Sequence, residues 1–266
     1  MANPNIIKCW IASYPRSGNT FARIAIALTL IGDDTSSLDK DIPEFSVHVG
    51  ESLFGGSSVI KTDKGQVRFI KTHFPRTPNS YNYGTDIPIY IYRHPLDVFL
   101  SGLNYIYLNS QEPAYSKYFL NAFPKAVGQI IADGEMKHYF DRFLEDEGLS
   151  CFEPLAGKWS ENIAAWHSTI SSTENGLFVD YSYVTGRPFD FMQDVLRLIG
   201  RRAVDHADLA RAVDRSLDLT KPNGKFYWRA KSGAHREMLR PEWIAAGMDR
   251  FGPTLSRLGL DFALPR

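Results

Sequence analysis

The chain has 266 residues, 44% of them hydrophobic and 23% charged. That is enough apolar material to bury a full core, which excludes a disordered or fibrous protein. Lys plus Arg and Asp plus Glu each number 30, so the formal charge is zero; nothing draws the molecule as a whole toward nucleic acid or an anionic membrane, and any basic site has to be local.

In chain order, Ile6 to Ala12 (IIKCWIA) has the length and composition of a strand. Ser13 to Asn19 then carries Pro and Gly, and Thr20 to Ile31 has helical length. The longest apolar run, Phe21 to Ile31, contains Arg23 and falls short of the about 20 residues needed to span a bilayer. Val67 to Ile70 reads as a second short strand, and Pro88 to Tyr92 as a third, ended by Arg93. Pro95 suits the first turn of a helix reaching about Asn109. Residues 110 to 170 read as mainly helical, with Tyr139, Phe140 and Phe143 at core spacing and Trp159, Ile163 and Trp166 on one stripe; they are expected to cap the sheet. Leu177 to Asp180 is a fourth strand. The helix from Phe189 to Ile199 puts Phe191, Val195, Leu198 and Ile199 on one face, and Gly200 stops it.

Strands alternating with helices predict a single α/β domain over residues 1 to 266, with a mostly parallel central sheet flanked by helices. In such sheets ligands bind beyond the carboxyl ends of the strands, which directs attention to residues 13 to 20, 71 to 76 and 93 to 97. The cysteines Cys9 and Cys151 form neither a disulfide framework nor a CxxC spacing, and MANPNIIKCW lacks a basic region followed by an apolar signal core. The expected compartment is the reducing cytoplasm, with no metal and no membrane or nucleic-acid partner.

Three constellations carry chemistry. Tyr14-Pro15-Arg16-Ser17-Gly18-Asn19-Thr20 lies between a strand and a helix, where backbone N–H groups and the helix dipole make an anion site. It lacks the GxxxxGK[ST] spacing of a nucleoside triphosphatase; Ser17, Asn19 and Thr20 supply polar side chains and Arg16 a permanent charge. An ordinary capped helix start is the plainer alternative. In Phe69-Ile70-Lys71-Thr72-His73-Phe74-Pro75, an extended backbone throws Lys71 and His73 to one face, joining a cation to a base that titrates near neutrality. The other histidines, His48, His94, His138, His167, His206 and His235, lack that context. In Arg93-His94-Pro95-Leu96-Asp97, continuing to Ser101, the arginine sits at the strand end and the serine about two helical turns later. Together they reach a second anion; the alternative is an Arg93–Asp97 salt bridge with Ser101 exposed. Two anion sites on neighbouring strand ends suit a nucleotide phosphorylated at two positions.

From residue 6 to about 240 the chain resembles the sulfotransferases that use 3′-phosphoadenosine 5′-phosphosulfate (PAPS) and release 3′-phosphoadenosine 5′-phosphate (PAP). The resemblance rests on YPRSGNT at 14 to 20, KTHFP at 71 to 75, Arg93 with Ser101, GKWSENIAAWHS at 157 to 168, FVDYSYV at 178 to 184 and WRAKSGAHREML at 228 to 239. It implies that residues 16 to 20 form a P-loop-like cradle for the 5′-phosphosulfate. Arg93, Ser101 and Arg229 would bind the 3′-phosphate, Phe21 and Tyr181 would lie near the adenine, His73 would be the catalytic base and Lys71 would hold the sulfuryl oxygens. In-line transfer to the hydroxyl or amine of a small-molecule acceptor follows, without metal.

Two departures stand against the family pattern. Arg16 replaces the usual lysine and, with a pKa above ~12, keeps the charge without serving as an acid. The segment Arg229-Ala230-Lys231-Ser232-Gly233 matches RKGxxG only in a shifted register, leaving open whether Arg229, Lys231 or both reach the 3′-phosphate. Phe226, with Tyr227 and Trp228, either stacks on adenine or is core. The alternatives in function are a silent bisphosphonucleotide-binding module, which has no need of Lys71 and His73, and a P-loop-type small-molecule kinase. Loops 42 to 66 and 76 to 86 and the segment 104 to 150 are expected to line the acceptor pocket, with Phe45, Phe54, Tyr81, Tyr83, Tyr105, Tyr107 and Tyr118 as its aromatic walls.

Overall fold

A computed structural model describes residues 6–31, 47–48, 59–77, 81–110, 115, 118–119, 124–201, 204–221, 229 and 232–260. Strand β1 (Ile6–Ser13) feeds α1 (Asn19–Ile31), followed by β2 (Val47–His48), β3 (Val59–Thr62) and β4 (Gly65–Thr72). Strand β5 (Ile87–Tyr92) feeds α2 (Pro95–Leu108). Helices α3 (Val127–Ala132), α4 (Met136–Asp146), α5 (Glu153–Ala156) and α6 (Trp159–Ser171) lead to β6 (Leu177–Asp180). Helices α7 (Tyr181–Gly186), α8 (Pro188–Leu198), α9 (His206–Leu219), α10 (Ala234–Met238) and α11 (Pro241–Arg257) complete the described elements.

Among the described residues the sheet has six strands in the order β2-β4-β1-β5-β6, with β3 antiparallel on β4 and the remaining pairs parallel. Central β1 lies between β4 and β5, Trp10 standing beside Ile70 and Pro88. Both its faces are buried, which is why it reads as a nearly continuous apolar run. Cys9 and Ile11 join Phe69, Ile89 and Ile91 under α1, α8 and α9, while Trp10 and Ala12 join Tyr90 under α2, α6 and their neighbours. Each large side chain so covered contributes about 1.5–3 kcal/mol. Trp10 also donates its Nε1–H to Asp86 at 2.8 Å, tying the approach to β5 to the central strand.

The expected helical region is present, and Tyr139, Phe140, Phe143, Trp159, Ile163 and Trp166 are all buried. Helix α6 lies directly on the sheet, Trp166 stacking on Tyr90 with centroids 6.1 Å apart; Phe143 of α4 packs outside it against Phe99 and Phe251. On α8, Phe191 and Val195 are buried together with Met192 and Leu196, and Ile199 follows at its end, whereas Leu198 is only half-buried. Strands β2 and β3 escaped the sequence reading because two and four residues are too short to show a period. Their consequence is a correction: residues 59 to 66 are no acceptor loop. They form a hairpin at the N-terminal end of β4, where Asp63 N–H donates to the Gly200 carbonyl at 3.0 Å. Among the described residues no helix is long and apolar enough to cross a membrane.

Candidate active site

Beyond the C-terminal ends of β1, β4 and β5 lies a cleft of about 470 Å³, within the size range of small-molecule sites. Its floor is the turn from β1 into α1. Arg16 and Gly18 take left-handed φ values of 70° and 100°, with Ser17 between them on the ordinary side. The Ser17 N–H closes the turn on the Tyr14 carbonyl at 3.3 Å, and the N–H groups of the first turn of α1, which have no intrahelical partner, follow directly. Gly18 is required there for a second reason: a Cβ would stand 2.6 Å from Cδ2 of Tyr181. The Tyr181 ring therefore closes on the turn, and the Arg93 guanidinium lies 4.2 Å from the centre of that ring. Arg93 also donates to the Arg16 carbonyl at 3.0 Å. Arg16 in turn donates its Nε–H to Ser101 Oγ at 3.2 Å and lies 5.0 Å over Tyr105. These contacts hold a non-glycine residue in a conformation that costs on the order of 1–3 kcal/mol.

Thr72 ends β4 by accepting the Phe74 N–H on its hydroxyl at 3.1 Å. His73 then lies against β1, its Nδ1 2.7 Å from the Ser13 carbonyl and 3.3 Å from the Ser13 hydroxyl. A carbonyl only accepts, so Nδ1 carries the proton and the lone pair of the neutral ring resides on Nε2. The peptide of His73 is fixed from α6: Asn162 donates to the His73 carbonyl at 2.9 Å and to the Ala156 carbonyl at 2.8 Å, and accepts from Tyr90 Oη at 2.7 Å. Trp166 donates to the next carbonyl, that of Phe74, at 2.8 Å. Lys71 and His73 both face the cleft, as the period of two requires.

The third strand end is organised by Asp97, whose side chain is 1% exposed. It accepts from Gly233 N–H at 2.6 Å, His235 N–H at 3.0 Å and His235 Nδ1 at 2.8 Å. Burial opposes its ionisation, but these bonds and the Arg93 charge outweigh it and hold the carboxyl at about 2. The His235 ring stacks on His94 at 4.0 Å, and His94 caps α2 by accepting the Leu96 N–H at 3.2 Å. Burial, then the neighbouring His235, push His94 down to about 3.

The structure thus brings Arg16, Gly18, Asn19, Thr20, Phe21, Lys71, His73, Arg93, Ser101, Tyr181 and Arg229 to one cleft. Ser101 is buried, not exposed, and bonded to Arg16, which removes the plainer reading of that motif. Ser17 is not on the cleft: its hydroxyl is buried and finds no partner among the described residues. The Asn19 amide is committed to Ile11 O at 2.9 Å and Ser13 Oγ at 3.3 Å. Gly233 gives its N–H to Asp97 and borders a second cavity, which shares Asp97 with the first. Phe226, Tyr227, Trp228 and Lys231 lie outside the described residues, as do Phe45 and Phe54. Of the other aromatics expected around the acceptor, Tyr105 lines the cleft, joined by Phe152 and Leu155. Tyr118 is buried against Ser150 and Cys151, Tyr81 packs on Trp10, and Tyr83 and Tyr107 are exposed.

A sulfotransferase-domain family profile matches residues 7–245. The chain belongs to the sulfotransferase family. Sulfotransferase 1B1 of dog (Canis lupus familiaris) is 23% identical to this chain over 219 residues, which cover 80% of this chain and 66% of that protein, just under two thirds of its length. Among solved structures, retinol dehydratase in complex with androsterone and inactive cofactor PAP superposes with a TM-score of 0.67 at 16% identity, covering 97% of this chain and 82% of that one. The retinol and PAP complex of retinol dehydratase gives 0.65 at 15% identity, covering 97% and 83%. Mouse sulfotransferase SULT7A1 complexed with PAP gives 0.60 at 13%, covering 94% and 84%. These likenesses establish the α/β fold.

Several residues of the candidate site are not legible in the sequence. Asn162, Tyr90 and Trp166 were assigned to packing alone or not singled out. His235 was set aside with the other histidines, although it bonds Asp97 from 138 residues away. Lys221 and Thr220, just past α9, also line the cleft. A basic residue beside a helix end is too common a pattern to have flagged them.

Proposed function

We propose that this protein transfers a sulfuryl group from PAPS to a hydroxyl or amine of a small-molecule acceptor, with His73 as general base. The observation that carries the reading is the charge of the cleft. In a chain of zero formal charge, Arg16, Lys71, Arg93, Lys221 and Arg229 line it against one acidic residue among the described ones, Asp97, whose carboxylate is already bonded to Gly233 and His235. Such a donor set, with Arg16, Lys71 and Arg93 at three strand ends and Lys221 and Arg229 joining them from the C-terminal part of the chain, fits a ligand with an anionic group at each end.

When bound, PAPS supplies an electrophilic sulfur and a stable nucleotide leaving group. The turn at residues 16 to 20 and the N-terminus of α1 receive its 5′ end. Arg93, Ser101 and Arg229 receive the 3′-phosphate, and Phe21 and Tyr181 flank the base. His73, oriented through the Ser13 carbonyl, takes the acceptor's proton on Nε2 as the acceptor oxygen or nitrogen closes on sulfur. Lys71 and Arg16 supply fixed positive charge where negative charge grows on the departing oxygen. Arg16 does so without giving up a proton. Tyr105, Phe152 and Leu155 offer the acceptor an apolar wall.

Calorimetric titration with PAP, 5′-AMP and ATP in the absence of added metal tests this. PAP is expected to bind at least tenfold more tightly than either competitor. Equal binding of PAP and 5′-AMP, or a preference for ATP, overturns the reading.

A further inference from the structure

We infer that Asp97 is a positioning residue for the nucleotide site, a latch that fastens the chain segment bearing Arg229 to the strand end bearing Arg93. The inference rests on the reading of the cleft as a PAP site. A carboxylate in the wall of an anion-binding cleft is a liability unless its charge is satisfied in place. That of Asp97 is, by three N–H donors from residues 233 and 235, all 136 or more positions away in sequence. The donors bracket the start of α10. From that helix Glu237 pairs with Arg229 at 2.8 Å, and Arg229 faces the cleft. Position therefore passes from the N-terminal turn of α2 through Asp97 to α10 and on to Arg229, with Arg93 and Ser101 fixed on the α2 side. The stack of His235 on His94, the residue that caps α2, buttresses the same junction. Asp97 touches no reacting atom in this scheme; it sets the distance between the side chains that share the 3′-phosphate.

The variants His235→Phe and His235→Asn separate the latch from bulk. Phenylalanine keeps the ring and its stack but removes the Nδ1 donor, whereas the asparagine amide donates from nearly the place of Nδ1. Titrations with PAP and with 5′-AMP, which lacks the 3′-phosphate, are expected to show His235→Phe weakening PAP about tenfold and 5′-AMP less than twofold. KM for PAPS should rise by a larger factor than kcat falls, and His235→Asn should return PAP to within about threefold of the parent. Asp97→Asn, isosteric and still able to accept at one oxygen, should weaken PAP by an intermediate factor, and it decides the matter if the phenylalanine variant fails to fold. Equal weakening of both nucleotides, or no rescue by asparagine, overturns the latch. A parent protein that does not distinguish PAP from 5′-AMP overturns the functional reading itself, before any variant is compared.

Discussion

Replacing Asn162 by alanine tests how the imidazole of His73 is held. The Asn162 side chain is fully buried and makes three bonds of 2.7–2.9 Å, to the Tyr90 hydroxyl and to the carbonyls of His73 and Ala156. Alanine leaves all three partners buried without it, at about 1–2 kcal/mol each, for a loss of about 3–6 kcal/mol. For a domain of this size that lowers Tm by roughly 6–20 °C. Urea unfolding should show a reduced midpoint at unchanged m-value, since the surface exposed on unfolding is the same. Tyr90→Phe removes one of the three bonds and should cost only about 1 kcal/mol. Sulfuryl transfer should fall more in Asn162→Ala than in Tyr90→Phe, because only the former releases the His73 peptide. If the two variants lie within about 0.5 kcal/mol of each other, the amide does not hold those carbonyls, and the account of how the base is placed fails.

His73→Ala should retain PAP binding in calorimetry yet lose transfer in a labelled-donor assay, since the base is removed and the phosphate contacts stay; undiminished turnover would falsify its role. Arg93→Ala should weaken PAP by about 1.5–3 kcal/mol, the worth of a charge-assisted phosphate contact, and also loosen the Arg16 turn whose carbonyl it holds; unchanged PAP affinity by the same titration removes it from the site. Gly18→Ala forces a Cβ to within 2.6 Å of the Tyr181 ring at a φ of 100°, and thermal melts should register a loss of about 1–3 kcal/mol; a neutral result contradicts the packing. His94, ordinarily near 6.5 and held at about 3, binds its proton in the unfolded chain first. Stability should therefore fall as pH drops from about 6.5 toward 3, by up to about 1.4 kcal/mol per pH unit. Asp97, ordinarily at 3.8 and held at about 2, adds a further loss between those values. His94→Asn, which preserves a helix cap, should flatten the upper limb in urea titrations at successive pH values, and an unchanged slope there rules out His94 as its source.

What the sequence disclosed followed from strands that are covered on both faces. Such strands are apolar throughout, so β1 and β5 stand out, and the residues just beyond them, Arg16 to Phe21 and Arg93, inherit a place at the cleft; β6, a half-buried edge strand, was legible from its short apolar run alone, with Tyr181 directly after it. Lys71 and His73 were legible for the same reason with the period of two added. Side-chain direction within an irregular turn carries no period, and so Ser17, which points inward, could not be told from Thr20, which lines the cleft. Partners that meet only in the folded chain were also hidden: Asn162 finds the His73 carbonyl across 89 residues. Tyr118 was misplaced as an acceptor wall because an aromatic ring reads alike whether it faces a ligand or, as here, hydrogen-bonds Ser150 in the core.

The guanidinium of Arg93 braces the backbone of Arg16 while lying on the ring that closes over Gly18. On the proposed assignment, the reader of one phosphate is thus a strut beneath the cradle of the other. Selectivity at the two ends of the nucleotide is then inherited as a unit: retuning the protein for a donor without the 3′ group would mean rebuilding the turn, the strand tip and the tyrosine in concert, whereas the acceptor side meets these struts only where Tyr105 lies under Arg16, and Phe152 and Leu155 are free to diversify.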